Sequence, residues 1–185
     1  GYVLTGGISC AMRRKENFNY KKVLENAKRI VVLEDVENPT NIGAIFRSAA
    51  AFGIDAVLLS PACVDPFYRR AMRVSVGNAL LVPWAYIGSS EARWKEEGIG
   101  WLKEEGFQTV AMALRSDNIR IDDPVLKQKD RLAIIMGNEG QGLAESTINA
   151  ADYVAKIPMM NGVDSLNVAV AAGLAMWELT QHRNQ

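Results

Sequence analysis

Residues 30–53, IVVLEDVENPTNIGAIFRSAAAFG, hold one complete structural unit. The unit opens with IVVLE, an apolar, β-branched run with the length and composition of a buried strand. Pro39 and Thr40 suit a turn. From about Asn41 to Phe52, the residues Ile42, Ile45, Phe46, Ala49 and Ala50 recur at helical spacing, and Gly53 stops the helix. Strand, turn and helix in that order are the building block of an α/β domain.

The same alternation continues along the chain. Residues 56–59, 81–87, 108–114, 132–136 and 153–157 read as further strands, and residues 91–105, 143–151 and 166–181 as helices, the first despite Gly98 and Gly100. The basic stretch DPFYRRAMRVSVGN reads as a crossover. The pattern predicts a mainly parallel six-stranded sheet with helices on both faces, and 185 residues fit one such domain. Ligands of these sheets bind beyond the carboxyl ends of the strands. The loops after the first, fourth, fifth and sixth strands are therefore the places to look.

Composition narrows the class. No apolar run approaches the roughly 20 residues that span a bilayer, and no secretory signal is visible. Cys10 and Cys63 lack metal-ligand spacing, which suits a reducing, cytoplasmic setting. The only histidine is His182, so a histidine-based triad or a histidine-rich metal site is not expected. Lys and Arg total 21, as do Asp and Glu, so net charge gives no sign of nucleic-acid binding. Its distribution is uneven. Arg13, Arg14, Lys15, Lys21, Lys22, Lys28 and Arg29 face only Glu16 and Glu25 up to residue 30. Such an arm either holds phosphates or is a solvated lead-in to the first strand. The chain begins at Gly1 without methionine, which points to a segment upstream.

Three loops carry unusual chemistry. In NPTNIGAIFRSAAAFG, Gly43, Arg47 and Ala51 share one helix face. Small residues a turn either side of an arginine leave it open to a ligand or another backbone. Arg47 is a candidate anion clamp or a surface ion-pair partner, and Asn41 a helix cap or a site residue. In IIMGNEGQGL, Gly137, Gly140 and Gly142 follow a buried strand, an arrangement that lets main-chain N–H groups meet a nucleotide-like ligand. The spacing matches neither a dinucleotide fingerprint nor a Walker A loop. Glu139 is a polar anchor or a solvated loop carboxylate. In IPMMNGVDSLNVAVAAG, Ser165 is placed to cap the last helix, with Asn167 in its first turn. That helix is apolar on all sides, which predicts burial all round, in a core or at a subunit face.

Taken together, the three loops resemble the motifs of the SpoU (TrmH-like) branch of the SPOUT RNA methyltransferases. The pattern N-x-G-x-x-x-R is present as Asn41, Gly43 and Arg47. The pattern G-x-E-G-x-G-L is present as Gly137, Glu139, Gly140, Gly142 and Leu143. The closing motif is present as Ile157, Pro158, Met159, Ser165, Leu166, Asn167 and Val168. The resemblance covers about residues 30–181, in order. Asn138, and Ala169 where many members have serine, are departures outside the matched catalytic positions.

The resemblance implies methyl transfer from S-adenosylmethionine to a ribose 2′-hydroxyl of a structured tRNA or rRNA. It also implies a deep C-terminal trefoil knot, a rare exception to the rules of chain connection, and a homodimer built on the last helix and the motif-one helix. Arg47, Asn41, Glu139, Ser165 and Asn167 would form the catalytic set. Main chain near Leu114, Gly137, Ile157 and Leu166 would hold the cofactor. Arg47 with Arg69, Arg70 and Arg73 would meet RNA phosphates. Residues 1–29 would be a basic arm left from an upstream linker or RNA-recognition domain, and residues 30–185 the catalytic domain. An arginine with a pKa above about 12 is a poor base, so Arg47 is expected to bind a flanking phosphate and polarise the hydroxyl. A nucleotide-dependent oxidoreductase and a non-catalytic dimeric RNA-binding protein are the competing classes.

Overall fold

The computed structural model describes residues 19–115 and 118–180. Cys10, His182, and Arg13, Arg14 and Lys15 of the basic arm lie outside the described residues. The strands are β1 (Arg29–Leu33), β2 (Ala56–Leu59), β3 (Trp84–Tyr86), β4 (Gln108–Met112), β5 (Ile119–Arg120), β6 (Leu132–Met136) and β7 (Tyr153–Lys156). They form one sheet in the order β3-β2-β1-β6-β4-β7-β5, with every pairing parallel. The seventh strand corrects the expected six. Its two residues sit at the sheet edge, where Ile119 pairs with Ala155 and Arg120 with Lys156.

The helices are α1 (Tyr20–Leu24), α2 (Pro39–Ala51), α3 (Arg69–Val74), α4 (Glu91–Glu104), α5 (Pro124–Lys127), α6 (Glu145–Ala150) and α7 (Val168–Thr180), with a 3-10 turn at Asn78–Leu80. They cover both faces, as the alternation requires. Val31, Leu33, Val57, Leu59, Ile134 and Met136 point toward Ile42, Ile45 and Phe46 of α2 and Ala172 and Met176 of α7. The alternate residues Ile30, Val32, Leu58 and Ile135 point toward Trp94, Ile99 and Leu102 of α4. Every residue of β1 and β6 is buried, which explains the unbroken apolar runs Ile30–Leu33 and Leu132–Met136. Each buried Val, Leu or Ile side chain contributes about 1.5–3 kcal/mol.

Local chemistry sets the helix ends. The Asn38 side chain accepts from the Thr40 N–H at 2.8 Å, and Pro39 supplies the first helical residue of α2. The cap is thus Asn38, which releases Asn41 from that duty. Gly53, at φ +67°, ends the helix as expected. In α4, a Cβ on Gly98 would lie 2.2 Å from the Trp94 ring. That glycine is therefore the space that lets Trp94 fold inward, worth the helical penalty of about 1 kcal/mol.

Two expectations change. The helix α7 is not buried all round: Ala172, Ala175 and Met176 are fully buried, but Val170, Leu174 and Trp177 are 52%, 42% and 52% exposed. The cap of α7 is Asn167, not Ser165. The Asn167 side-chain oxygen accepts from Ala169 N–H at 2.9 Å and Val170 N–H at 3.4 Å, whereas the Ser165 hydroxyl donates to Asp164 at 3.2 Å.

Candidate functional site

The carboxyl ends of β4, β6 and β7 open into a cleft of about 400 Å³, a volume in the range of small-ligand sites. Leu114, Gly137, Ile157 and Leu166 all line it, as do Glu139 and Ser165. The second and third motifs and the segment after β4 thus share one cavity, at the position the parallel sheet dictates.

Its floor is the loop that leaves β6. A Cβ on Gly137 would stand 2.3 Å from the Gly142 carbonyl carbon and 2.4 Å from Leu143 N, so only glycine fits. The loop turns back on itself, with Asn138 and Gly142 exchanging main-chain hydrogen bonds of 3.0 Å each. Asn138 organises the turn. Its side-chain oxygen accepts from Gly140 N–H at 2.7 Å and Gln141 N–H at 3.2 Å, and its amide N–H donates to the Asp35 carbonyl at 2.8 Å. In the sequence Asn138 is a departure outside the matched catalytic positions; the signal of its role is an Asn two residues before a glycine, able to close an Asx turn.

Three polar side chains from the three motifs form a chain: Glu139 lines the cleft, whereas Asn41 and Asn167 lie outside its lining, in the neighbouring groove between α2 and α7. Asn41, only 6% exposed, donates to Glu139 Oε1 at 2.7 Å. Asn167 donates to Asn41 Oδ1 at 3.1 Å. The network explains why the buried Asn41 is tolerated here: its amide is satisfied by Glu139 and Asn167, both of which reach it from the exposed side. A hydrogen bond to a carboxylate of this kind is worth about 1.5–3 kcal/mol.

The arginines stand elsewhere. Arg47 is exposed and lies outside the residues that line the cleft, and its side chain makes no hydrogen bond or ion pair among the described residues. The small face it shares with Gly43 has a partner within the chain. A Cβ on Gly43 would lie 2.5 Å from the Ala71 carbonyl oxygen and 2.8 Å from Val74 Cβ, so the glycine admits α3. Arg69, Arg70 and Arg73 are exposed on α3.

Behind the cleft, the segment just after β1 is strongly fixed. Asp35 has φ +55°, pairs with Lys95 at 3.1 Å and accepts from the Ser60 hydroxyl at 2.7 Å. The hydrogen bond from Lys95 to Asp35 raises the Lys95 pKa, partly opposed by burial. Among the described residues, no cluster of His, Cys, Asp and Glu could hold a metal ion. No described helix is long and apolar enough to cross a membrane.

The model of the SpoU rRNA methylase family matches residues 28–177, which span every strand of the sheet and the whole cleft. The chain belongs to the SpoU rRNA methylase family. Among relatives of this SpoU domain, an uncharacterized tRNA/rRNA methyltransferase of Mycobacterium bovis is 40% identical over 182 residues, covering 98% of this chain and 62% of the relative. A 23S rRNA (guanosine-2′-O-)-methyltransferase of Coxiella burnetii is 30% identical, over 96% of this chain and 70% of the relative. The crystal structure of an AdoMet-bound rRNA methyltransferase from Sinorhizobium meliloti superposes with a TM-score of 0.77 at 29% identity, covering 88% of this chain and 61% of that one. The chain thus spans about 62% of the length of the first of these relatives.

Proposed function

We propose that this SpoU domain transfers a methyl group from S-adenosylmethionine to a ribose 2′-hydroxyl of a structured tRNA or rRNA in the cytoplasm. The observation that carries the reading is the hydrogen-bonded link from Asn167 through Asn41 to Glu139, which lines the cleft floored by Gly137. The residues fit the cofactor. The cleft combines apolar walls with a main-chain turn that closes tightly, because at Gly137 any Cβ would collide with the main chain of Gly142 and Leu143. When bound, the cofactor supplies an electrophilic methyl group on a sulfonium centre.

The chain's own residues supply the rest. Main chain at Leu114, Gly137, Ile157 and Leu166 holds the cofactor. Asn41 holds Glu139, which fixes the wall against which the ribose docks, with Ser165 beside it. Arg47 binds a phosphate flanking the target and polarises the hydroxyl, a task suited to its forked, permanently charged donor. Arg69, Arg70 and Arg73 extend the phosphate track. Residues 30–185 act as the catalytic domain and residues 1–28 as a basic arm; Arg29 itself is buried in β1 and donates to the Asp130 and Lys129 carbonyls.

A homodimer completes the reading. A groove of about 630 Å³ runs between α2 and α7, lined by Phe52, Val170, Leu174 and Trp177. Exposed apolar surface of this kind favours a second copy. The C-terminal segment, threaded through an earlier loop, forms the trefoil knot. The sheet order β6-β4-β7 and the return of α7 onto α2 and β6 support that path.

Two measurements test the function. Calorimetric titration with S-adenosylhomocysteine is expected to show binding. Radiolabelled methyl transfer to RNA from cells lacking the gene is expected to map to alkali-resistant linkages. Binding of NAD in place of S-adenosylhomocysteine, or label confined to bases, would overturn the reading.

A further inference from the structure

Glu34 follows β1 directly and is 1% exposed, yet neither the Asn41 network nor the cleft lining uses it. Its carboxylate accepts three hydrogen bonds. Oε1 takes the Ala144 main-chain N–H at 2.6 Å. Oε2 takes the Thr147 hydroxyl at 2.5 Å and the Trp94 indole N–H at 2.7 Å. Ala144 is the residue at which the glycine loop enters α6, and that helix end has no side-chain cap of its own. The next residue, Asp35, holds the other end of the same loop through its carbonyl and Asn138. Two adjacent residues on the β1–α2 turn thus grip both ends of the loop.

Trp94 reaches Glu34 only because Gly98 leaves space for its ring. A buried carboxylate costs several kcal/mol unless it is fully partnered. An apolar residue would end β1 at lower cost if packing were the sole requirement.

We propose that Glu34 is a positioning residue that sets the height and rigidity of the loop at residues 137–144, and through it the affinity for S-adenosylmethionine. The proposal rests on the reading of the cleft as the cofactor site. The turn that carries Glu34 continues into α2 and Asn41, so the loop and the Asn41 network share one support.

The test compares the full chain with Glu34→Gln, in which an amide NH2 faces donors that need an acceptor. Thr147→Ser, which keeps the hydroxyl, is the conservative control. Hydrogen exchange is followed at residues 137–144 and at β1 and β6, and S-adenosylhomocysteine is titrated by calorimetry. Glu34→Gln is expected to speed exchange at residues 137–144 while β1 and β6 stay protected, and to weaken binding by about tenfold. In turnover, the KM for S-adenosylmethionine should rise while kcat at saturation changes little. Thr147→Ser should behave as the parent protein. Unchanged loop exchange together with binding within about twofold of the parent overturns the proposal, as does uniform loss of protection across the sheet. If the parent protein itself fails to bind S-adenosylhomocysteine, the cofactor reading fails, and the exchange data alone decide whether Glu34 positions the loop.

Discussion

Asn41 donates to Glu139 across 98 positions of sequence, and at 2.7 Å this bond ties the motif-one helix to the glycine loop. Removing it frees two partners at once, because Asn41 also accepts from Asn167, and both partners are exposed to water. Asn41→Ala should therefore lower stability by about 0.5–1.5 kcal/mol and reduce kcat/KM for methyl transfer more than tenfold. Thermal melts and initial rates on the same preparation check both. Wild-type rates in Asn41→Ala would remove the network from the mechanism.

Arg47 separates stability from activity. Its side chain is exposed, so Arg47→Lys should change folding free energy by no more than about 0.5 kcal/mol. Turnover is expected to fall about a hundredfold, as when one preorganised donor is lost, with RNA and S-adenosylhomocysteine binding intact. A lysine variant with near-normal turnover would argue against both the phosphate clamp and any role for Arg47 as base.

The three loop glycines should not be equivalent. Gly137→Ala forces a Cβ to 2.3 Å from the Gly142 carbonyl carbon. It should cost at least about 1–3 kcal/mol and abolish cofactor binding. Gly142, at φ +71° in open space, carries a backbone penalty alone, about 1–2 kcal/mol for alanine. Gly140 has neither constraint, its nearest neighbour standing at 3.4 Å, and Gly140→Ala should be nearly silent. Denaturant midpoints and calorimetry of the three variants give the order.

Across the α2–α7 groove, Leu174→Glu should separate the protomers. Leu174 is 42% exposed, and Phe52 and Trp177 meet beside it with ring centroids 5.9 Å apart. Sedimentation should show a dimer for the parent protein and a monomer for the variant. A monomeric parent at micromolar concentration would count against the dimer.

Cys63 gives a pH prediction. Burial is the main cause that pushes its thiol up from 9.0 to about 11, although its Sγ accepts from Val36 N–H at 3.3 Å. A raised folded-state value favours the neutral thiol. Its stabilisation is complete below the unfolded value near 9 and fades as pH climbs through about 11. Urea midpoints should fall more steeply over that window in the parent protein than in Cys63→Ser. At pH 8 native Cys63 should resist iodoacetamide.

How much of this was legible in the sequence follows from what each residue depends on. The strands Ala56–Leu59 and Leu132–Met136 match the sequence reading to the residue, because full burial on both faces leaves an unbroken apolar run. Ile119 and Arg120 carry no pattern at all, since only the edge of β7 makes them a strand. The helix α3 lay hidden in a charged stretch of six residues. Three motif residues, Asn41, Glu139 and Asn167, were readable as a set, but not their order of bonding. The cap of α7 stands two residues later than the sequence predicts, because Ser165 and Asn167 are both good capping residues and the backbone angles decide between them. Glu34 was read as the end of a strand. Its use lies in Trp94, Ala144 and Thr147, which no local window contains.

Asn167 spends both ends of one amide: its oxygen starts α7 and its nitrogen holds Asn41. The first turn of that helix cannot unravel without releasing Asn41, the residue that ties α2 to Glu139. The amides of Ala169 and Val170 are therefore built-in reporters. Their exchange rates should track the integrity of the site even in variants that leave α7 itself untouched.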